Sequence, residues 1–306
     1  MRGTLRAFLL AGLTGLSACG HGAPDIATLT SNSDQVIWEA GQKALQKHDW
    51  ESARQHFKRI IDAFPQSQYA PSARLALGDT YIEEGGTSND ILAIGAYREF
   101  LTLYPSHPKS DYAQFQVAES YFRQKSGPDR DQTQTLHALE EYERLLDLYS
   151  GSPYVEKARD RIKESRQNLA RAEYMAGYFY QKTRQYCRAA VARYEGILKD
   201  YPDFGDLDLV LLHMAECLRA QGRTAEALPH LGRLLEDFPE SAQADTARNL
   251  MEEWSRDMPP PPAAAEPAPT TPSPSPAPPS PPAPAPDEPP PPAPSPLPSP
   301  LPSPPA

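Results

Sequence analysis

One phrase of amino acids recurs five times along the chain, and this recurrence constrains the fold more than any other feature. Each copy has an Ala, a large residue four positions later, and an aromatic residue seven positions after that, followed by Pro in every copy except the third. The first two share a helix face, and Pro ends that helix. Such recurrence is typical of a solenoid, in which each unit buries its apolar face only against its neighbours. The copies begin at Ala53, Ala93, Ala138, Ala190 and Ala227.

A second pattern lies upstream of each copy: a small residue followed three positions later by a larger one. Residues three apart again share one helical face, and the small residue lets two helices approach closely. The unit is therefore helix–turn–helix and resembles the tetratricopeptide repeat. We predict an all-α helical solenoid of five tetratricopeptide-like units over residues 33–258. The pairs are Gly41/Ala44, Gly78/Tyr81, Ala118/Tyr121, Gly177/Tyr180 and Ala215/Leu218.

Extra residues separate the two helices of units 2 and 3. We predict loops at Glu84–Asp90 and Lys125–Thr135, because Gly, Pro, Ser, Asp and Thr concentrate there. The segment from Tyr154 to Gln181 is highly charged and contains no Pro. It predicts one long helix that joins unit 3 to unit 4.

The first 18 residues have the pattern of a bacterial lipoprotein signal peptide. Arg2 and Arg6 form a basic start, and an apolar stretch too short to span a bilayer follows. It ends in Leu16-Ser17-Ala18-Cys19, the pattern of a lipoprotein cleavage site. We predict acylation of Cys19, which anchors the protein to a membrane, and residues 19–32 as a flexible tether. Gly20 in place of Asp favours the outer membrane, with the folded part on the periplasmic side.

The last 48 residues, 259–306, differ from the rest in composition. They hold most of the chain's 36 Pro, with Ala and Ser between them, and no Lys or Arg. Such a segment lacks the residues for a core and is predicted to be disordered, with polyproline II character. Two interpretations are open. The segment is either a low-complexity tail without a partner, or it is functional, as a periplasmic spacer or as a ligand of a polyproline-binding groove.

Composition and motifs exclude several function classes. The formal net charge is −10 and becomes more negative when the leader is removed, whereas nucleic-acid binding needs a basic stripe. We therefore predict no nucleic-acid partner. The sequence has no phosphate-binding glycine loop and no nucleophile motif. It predicts no enzymatic activity and indicates no cofactor.

Two cysteines lie within the predicted solenoid. Cys187 opens the second helix of unit 4, and Cys217 lies late in the first helix of unit 5. These helices are expected to be antiparallel neighbours, so the pair is either a disulfide or two buried thiols. His213 and Cys217 have the spacing of two metal ligands, but no second pair completes a tetrahedral site. A packed helix face is favoured over a zinc enzyme, and no metal is predicted.

Several motifs go beyond a generic repeat. They are Phe64–Ala70, Asp129–Thr133, Leu169–Glu173, Tyr178–Lys182 and Ile197–Asp203. Together with Cys19 they resemble the BamD family, the helical lipoproteins of the machinery that assembles β-barrel proteins in the outer membrane. The resemblance covers residues 16–256, and the Pro-rich tail departs from the family pattern.

The resemblance implies two binding surfaces. The C-terminal units would dock a periplasmic domain of the central barrel protein, with accessory lipoproteins as further partners. Arg193 aligns with a family Arg implicated in that contact, and it can bind a carboxylate in bidentate fashion; Asp200 and Asp203 belong to the same matching stretch. For Arg193, a role as a solvated surface charge is equally open.

The N-terminal units would offer a groove to an extended segment of an unfolded outer-membrane protein. The candidate anchors are Trp50, Tyr69, Tyr81 and Tyr121. They also sit at repeat-core or junction positions, so packing within the repeat is the alternative role. The function predicted is a lipid-anchored scaffold of the barrel-assembly machinery. The alternative function is a repeat lipoprotein that coordinates cell-envelope or peptidoglycan machinery.

Overall fold

A computed structural model of the chain describes residues 34–257. Within this range the structure consists of eleven α-helices, and each helix packs against its neighbours in the chain. The helices are α1 Asp34–Gln46, α2 Trp50–Ala63, α3 Ala70–Glu84, α4 Thr87–Leu103, α5 Ser110–Arg123, α6 Thr133–Leu148, α7 Val155–Lys182, α8 Cys187–Asp200, α9 Leu207–Ala220, α10 Thr224–Asp237 and α11 Ala244–Arg256.

Ten of these helices form five consecutive hairpins, α1–α2 to α9–α10, which confirms the predicted all-α solenoid of five units. The second helix of each unit ends immediately before its repeat aromatic residue, which caps the helix. This holds in unit 3 as well, where Ser150 replaces Pro. An eleventh helix, α11, covers unit 5 through Ala244, Ala247 and Trp254. It lies outside the fivefold phrase and was not predicted as a separate element.

Each unit is held together by a small residue packed against a large one. The Ala and the large residue of every repeat phrase are fully buried. In unit 2 the Tyr97 ring lies directly over Gly78, so that a Cβ on Gly78 would stand 2.6 Å from a ring carbon. Gly177 meets Tyr194 at the same 2.6 Å. The small residues of the sequence pattern therefore permit the close approach that the fold requires.

The buried tyrosines keep their hydroxyl groups hydrogen-bonded. Tyr97 donates to Asp79 over 2.6 Å, and Tyr142 donates to Glu119 over 2.6 Å. Tyr194 donates to the side-chain oxygen of Gln181 over 2.9 Å. These bonds allow a large polar residue to occupy the core without an unsatisfied donor.

A serine–aspartate contact joins successive units. Ser152 donates to Asp111, at the start of α5, over 2.8 Å, while its hydroxyl oxygen accepts the Tyr154 N–H. The pairs Ser67/Asp34 and Ser241/Asp208 repeat this arrangement. One hydroxyl thus orders the turn between two units and fixes that turn to the preceding unit.

The segments that depart from the standard repeat take two forms. As predicted, α7 is one long helix of 28 residues that joins units 3 and 4. The loop predicted at Glu84–Asp90 is wrong for most of its length: only Gly85 and Gly86, both at positive φ, separate the helices. The residues after them form the first turn of α4, where Asp90 is buried and paired with Arg123.

The predicted signal peptide 1–18, Cys19, the tether 19–32 and the tail 259–306 lie outside the described residues, so what the sequence indicates for them stays a prediction. Between residues 34 and 257, none of the helices is both long and apolar enough to cross a membrane.

Cys187 and Cys217 meet where α8 begins and α9 ends, as expected for antiparallel neighbours. Their Cα atoms are 4.9 Å apart and their sulfur atoms are placed as a disulfide. Cys217 is fully buried in the core shared by units 4 and 5. A bond here would tie these two units together.

The contact at Gly78 generates a first prediction. Gly78→Ala should lower the free energy of unfolding by about 1–3 kcal/mol, because the added methyl group overpacks the Tyr97 ring. Ala is a better helix former than Gly, so helix propensity alone predicts that the same change would raise the free energy of unfolding. Gly95→Ala is the matched control, because Gly95 is an exposed position of α4 and no atom lies within 4 Å of the new Cβ. This change should leave the free energy of unfolding unchanged or raise it. Urea unfolding measures both, and a Gly78→Ala protein as stable as the control would contradict the packing argument.

The cysteine pair generates a second prediction. Closing a loop of this length should stabilise the protein by about 3.6 kcal/mol through the unfolded state, so Cys187→Ala/Cys217→Ala should unfold at lower urea concentration. The intact mass of the protein, measured before and after reduction and alkylation, reports the bond directly. Two free thiols in protein purified from an oxidising compartment would refute it.

Candidate partner-binding surfaces

The first helices of units 1–3 border a cavity of about 610 Å³. Trp38 on α1, Asp79 on α3, Tyr112 on α5 and Tyr154 just before α7 contribute its walls. A second cavity of about 310 Å³ adjoins it and shares Leu45, Asp79 and Tyr112 with the first. We call the two together the N-terminal groove. The volumes of these cavities lie in the range of protein sites that hold a small ligand or a short polypeptide segment.

Aromatic rings form much of the groove wall, and each is held by another ring. Trp38 stacks on Tyr69 with ring centroids 5.7 Å apart. Tyr154 stacks on Phe115 at 4.7 Å and also contacts Tyr112 at 5.9 Å. Such contacts fix the ring orientations before a ligand arrives, so little side-chain entropy is lost on binding.

A carboxyl group lies at the centre of the groove. Asp79 accepts hydrogen bonds from the hydroxyls of Tyr97 and Tyr112, each over 2.6 Å. Burial raises the pKa of Asp79 above its usual value, although both hydroxyl bonds act in the opposite direction. Lys109 also lines this cavity. The groove therefore combines apolar rings with a few polar groups, an arrangement suited to binding.

The structure places the four predicted groove aromatics in different settings. Trp50 lines the smaller cavity, beside His48 at 5.0 Å between rings. Tyr69 lies behind Trp38, outside the cavity lining. Tyr81 is buried beneath the guanidinium of Arg54, and Tyr121 packs against Arg98 and His137. Trp50 is thus the member of the set that lines the groove.

Sequence reasoning missed Trp38, Tyr112, Tyr154 and Asp79. One signal pointed to Tyr154: it follows Ser152 by two residues, as Tyr69 follows Ser67 in the quoted junction motif. Asp79 directly follows the small residue Gly78, and the repeat pattern does not specify which residue stands at this next position. Its role depends on two tyrosines from α4 and α5, which only the tertiary structure brings together.

A second surface lies on unit 4. Arg193 and Asp200, both on α8, line a cavity of about 390 Å³ together with Glu173 and Tyr201. Asp203 follows in the loop, outside the cavity lining. Arg166 of α7 binds the Asp200 carbonyl over 2.7 Å and approaches the Asp203 carboxylate at 3.5 Å. The structure therefore brings Arg193 and Asp200 together and holds Asp203 nearby through α7.

The Arg193 charge is already paired. Its guanidinium donates to Glu173 over 2.8 Å, and this bond raises the pKa of Arg193. Both side chains are nearly half exposed, so the pair contributes little to stability. A partner carboxylate can displace Glu173 at low cost, because one charge-assisted bond replaces another.

The metal-ligand pair considered from sequence has other partners. Cys217 lies against Cys187, and His213 lies 3.1 Å from the Tyr174 hydroxyl, with the two rings stacked. Burial lowers the pKa of His213, which favours the neutral imidazole. Among residues 34–257 no group of three or more His, Cys, Asp or Glu side chains is arranged to hold a metal ion. The geometry suits a packed helix face.

Among curated relatives, the chain is similar to the "Outer membrane protein assembly factor BamD" of Caulobacter vibrioides, with 25% identity over 67% of this chain and 66% of the relative. The protein of the same name from Vibrio cholerae is 27% identical over 63% of this chain and 83% of its own length. Among solved structures, the TPR2AB domain of yeast Sti1 overlaps with a TM-score of 0.41 and 14% identity, over 73% of this chain and 86% of that one.

A family model described as "YfiO: Outer membrane lipoprotein" matches residues 30–227. The match extends from just before α1 into the start of α10, so it includes both surfaces described above. Because it covers well over half of the chain, the chain belongs to the YfiO family of outer membrane lipoproteins, which confirms the resemblance to the BamD family.

Proposed function

We propose that this protein is a lipid-anchored scaffold subunit of the machinery that assembles β-barrel proteins in the outer membrane. The observation that carries the proposal is the family match over residues 30–227, together with relatives named as outer membrane protein assembly factors. In this proposal Cys19 carries the lipid, the folded part faces the periplasm, and accessory lipoproteins join the complex. The protein acts by binding and makes or breaks no bond.

The arrangement of the two surfaces supports a scaffold role. The N-terminal groove is built by units 1–3, whereas Arg193 and Asp200 lie on unit 4. Two partners can therefore be bound at once. Binding both raises the effective concentration of one for the other, and no new contact between them is required.

The N-terminal groove has the chemistry to hold an extended segment of an unfolded outer-membrane protein. A transmembrane β-strand alternates apolar and polar residues, so one side of such a segment offers apolar side chains to rings such as Trp38 and Trp50. Its backbone carbonyls and N–H groups find hydrogen-bonding partners in Lys109 and Asp79. Tyr69, Tyr81 and Tyr121 stay predicted contact residues, and their Ala variants belong in the same binding assay.

The unit 4 surface is proposed to dock the central barrel protein. An incoming carboxylate takes the place of Glu173 on Arg193, and the cavity beside Tyr201 and Asp200 receives the neighbouring side chains. In the alternative function, the protein coordinates cell-envelope or peptidoglycan machinery. The proteins that co-purify with the lipidated protein from native membranes distinguish the two functions.

Arg193→Glu gives the prediction for this surface. Recovery of a large β-barrel protein with the detergent-extracted bait should fall at least about tenfold, because the change reverses a charge that pairs with a partner carboxylate. Arg159→Glu, near the start of α7, is the control: like Arg193 it is an exposed arginine paired with a glutamate. Cys19→Ser should abolish labelling of the protein with radioactive palmitate, because the acylated thiol is lost.

Three results of that experiment contradict the proposal. Equal recovery with both charge-reversal variants would remove Arg193 from the interface. Recovery of cell-wall enzymes in place of a barrel protein would favour the alternative function. A Cys19→Ser protein that still incorporates labelled palmitate would refute the lipid anchor on Cys19.

Trp50→Ala gives the prediction for the groove. Its affinity for a fluorescent ten-residue peptide with the alternation of a transmembrane strand should fall about tenfold, as expected for loss of an aromatic anchor. Phe179→Ala removes an exposed aromatic residue of α7, away from the groove, and is the control. Fluorescence anisotropy measures both, and equal affinity of the two variants would exclude Trp50 from the binding site.

A further inference from the structure

The turn between α7 and α8 carries a concentration of basic and aromatic residues in an otherwise acidic chain. No acidic residue occurs between Glu173 and Glu195, although the whole chain has a net charge of −10. Within that interval the structure exposes a group that we call the basic tip. It consists of Phe179, Lys182, Arg184, Tyr186 and Arg188.

The aromatic members of the basic tip are exposed to an unusual degree. Phe179 is 44% and Tyr186 54% accessible, in a protein whose repeat tyrosines are completely buried. The guanidinium of Arg184 lies 5.4 Å from the centre of the Phe179 ring. The guanidinium of Arg184 and the ring of Phe179 are therefore in cation–π contact and form one continuous surface. The ring also covers part of the Arg184 side chain.

Two of the three cations of the basic tip have no carboxylate partner in the part of the chain that the structure describes. Arg184 and Arg188 form no ion pair within residues 34–257, whereas most arginines in that range have a carboxylate partner, as Arg54, Arg123 and Arg161 do. Lys182 does bind Glu216, over 3.1 Å. Two guanidinium groups with all their hydrogen-bond donors thus remain available to an external anion.

The basic tip is also held in place. Gln185 adopts a positive φ of 51°, and the N–H of Tyr186 binds the Tyr180 carbonyl over 2.9 Å, which closes the turn. Cys187, the next residue, lies against Cys217 of α9 with 4.9 Å between the Cα atoms. Because the backbone is fixed on both sides, binding an external surface here orders only side chains.

We propose that the basic tip binds the anionic phospholipid headgroups of a membrane surface. Arginine binds phosphate oxygens in bidentate fashion, and amphipathic rings prefer the boundary between headgroups and acyl chains. An acidic polypeptide is the other ligand that would match the charge, and binding to polyglutamate is therefore one outcome of the test below. A membrane contact is compatible with a lipid anchor, because the anchor keeps the folded part close to a membrane surface. The inference does not depend on which protein partners the scaffold binds.

Vesicle co-sedimentation of the mature chain without its lipid tests this proposal, because the acyl chains would mask a second contact. The probe is large vesicles of phosphatidylcholine with or without phosphatidylglycerol. The protein should sediment with the anionic vesicles and be released by salt. Arg184→Glu/Arg188→Glu should weaken this binding at least about tenfold. Phe179→Ser/Tyr186→Ser should weaken it severalfold without changing its salt dependence.

Arg130→Glu/Arg256→Glu is the matched control, since it makes the same charge change at two exposed arginines outside the basic tip that form no ion pair within the described part of the chain. It should bind like the unaltered protein. Circular dichroism melting verifies folding, and Arg184→Gln/Arg188→Gln replaces the reversal variant if that variant melts early. Equal binding to neutral and anionic vesicles, equal loss in the control, or binding to polyglutamate in place of vesicles would overturn the proposal.

Discussion

Each unit of this solenoid depends on one interaction: a large side chain of the second helix packed against a residue with little or no side chain on the first. Gly78 under Tyr97 and Gly177 under Tyr194 show it in its closest form. The large residue buries its whole surface, worth roughly 2–3 kcal/mol of hydrophobic stabilisation, and its hydroxyl is satisfied by a neighbouring polar group. This contact sets the distance between the helices, and the distance in turn sets which side chains line the groove.

The same packing explains how much of the fold could be predicted. Ala93 and Tyr97 must share a face for the contact to form, so the spacing in the sequence records the structure directly. The long helix α7 was predictable because the segment from Tyr154 to Gln181 is highly charged and contains no Pro. The segment after Gly86 was not, since Asp90 is drawn into the helix by its pairing with Arg123. That pairing is tertiary and leaves no local signal.

The candidate binding surfaces were less predictable than the core for a related reason. A core position recurs in every unit, whereas Trp38, Asp79 and Tyr154 come from different units and meet only in the folded chain. Trp50 was recognised as an aromatic residue near the groove, but Tyr81 and Tyr121 could not be told from packing residues by spacing alone. For Arg193 the family resemblance suggested a candidate contact residue, which stays a prediction, while its pairing with Glu173 needed the structure.

The candidate surfaces differ in charge and lie at different places in the described part of the chain. The N-terminal groove offers rings around a carboxyl group, unit 4 offers an arginine paired with an exposed glutamate, and the basic tip offers two guanidinium groups without a carboxylate partner within residues 34–257. The groove is bordered by the first helices of units 1–3, whereas the other two surfaces lie on α7, α8 and the turn between them. In the proposed scaffold role, separate surfaces allow more than one partner to be held at a time.

Depletion of the protein in its native host, followed by quantitative proteomics of isolated outer membranes, tests the central claim most directly. A scaffold of β-barrel assembly predicts that many integral β-barrel proteins decline together, while lipoproteins without a barrel keep their levels. Unchanged barrel proteins in depleted cells would contradict the account.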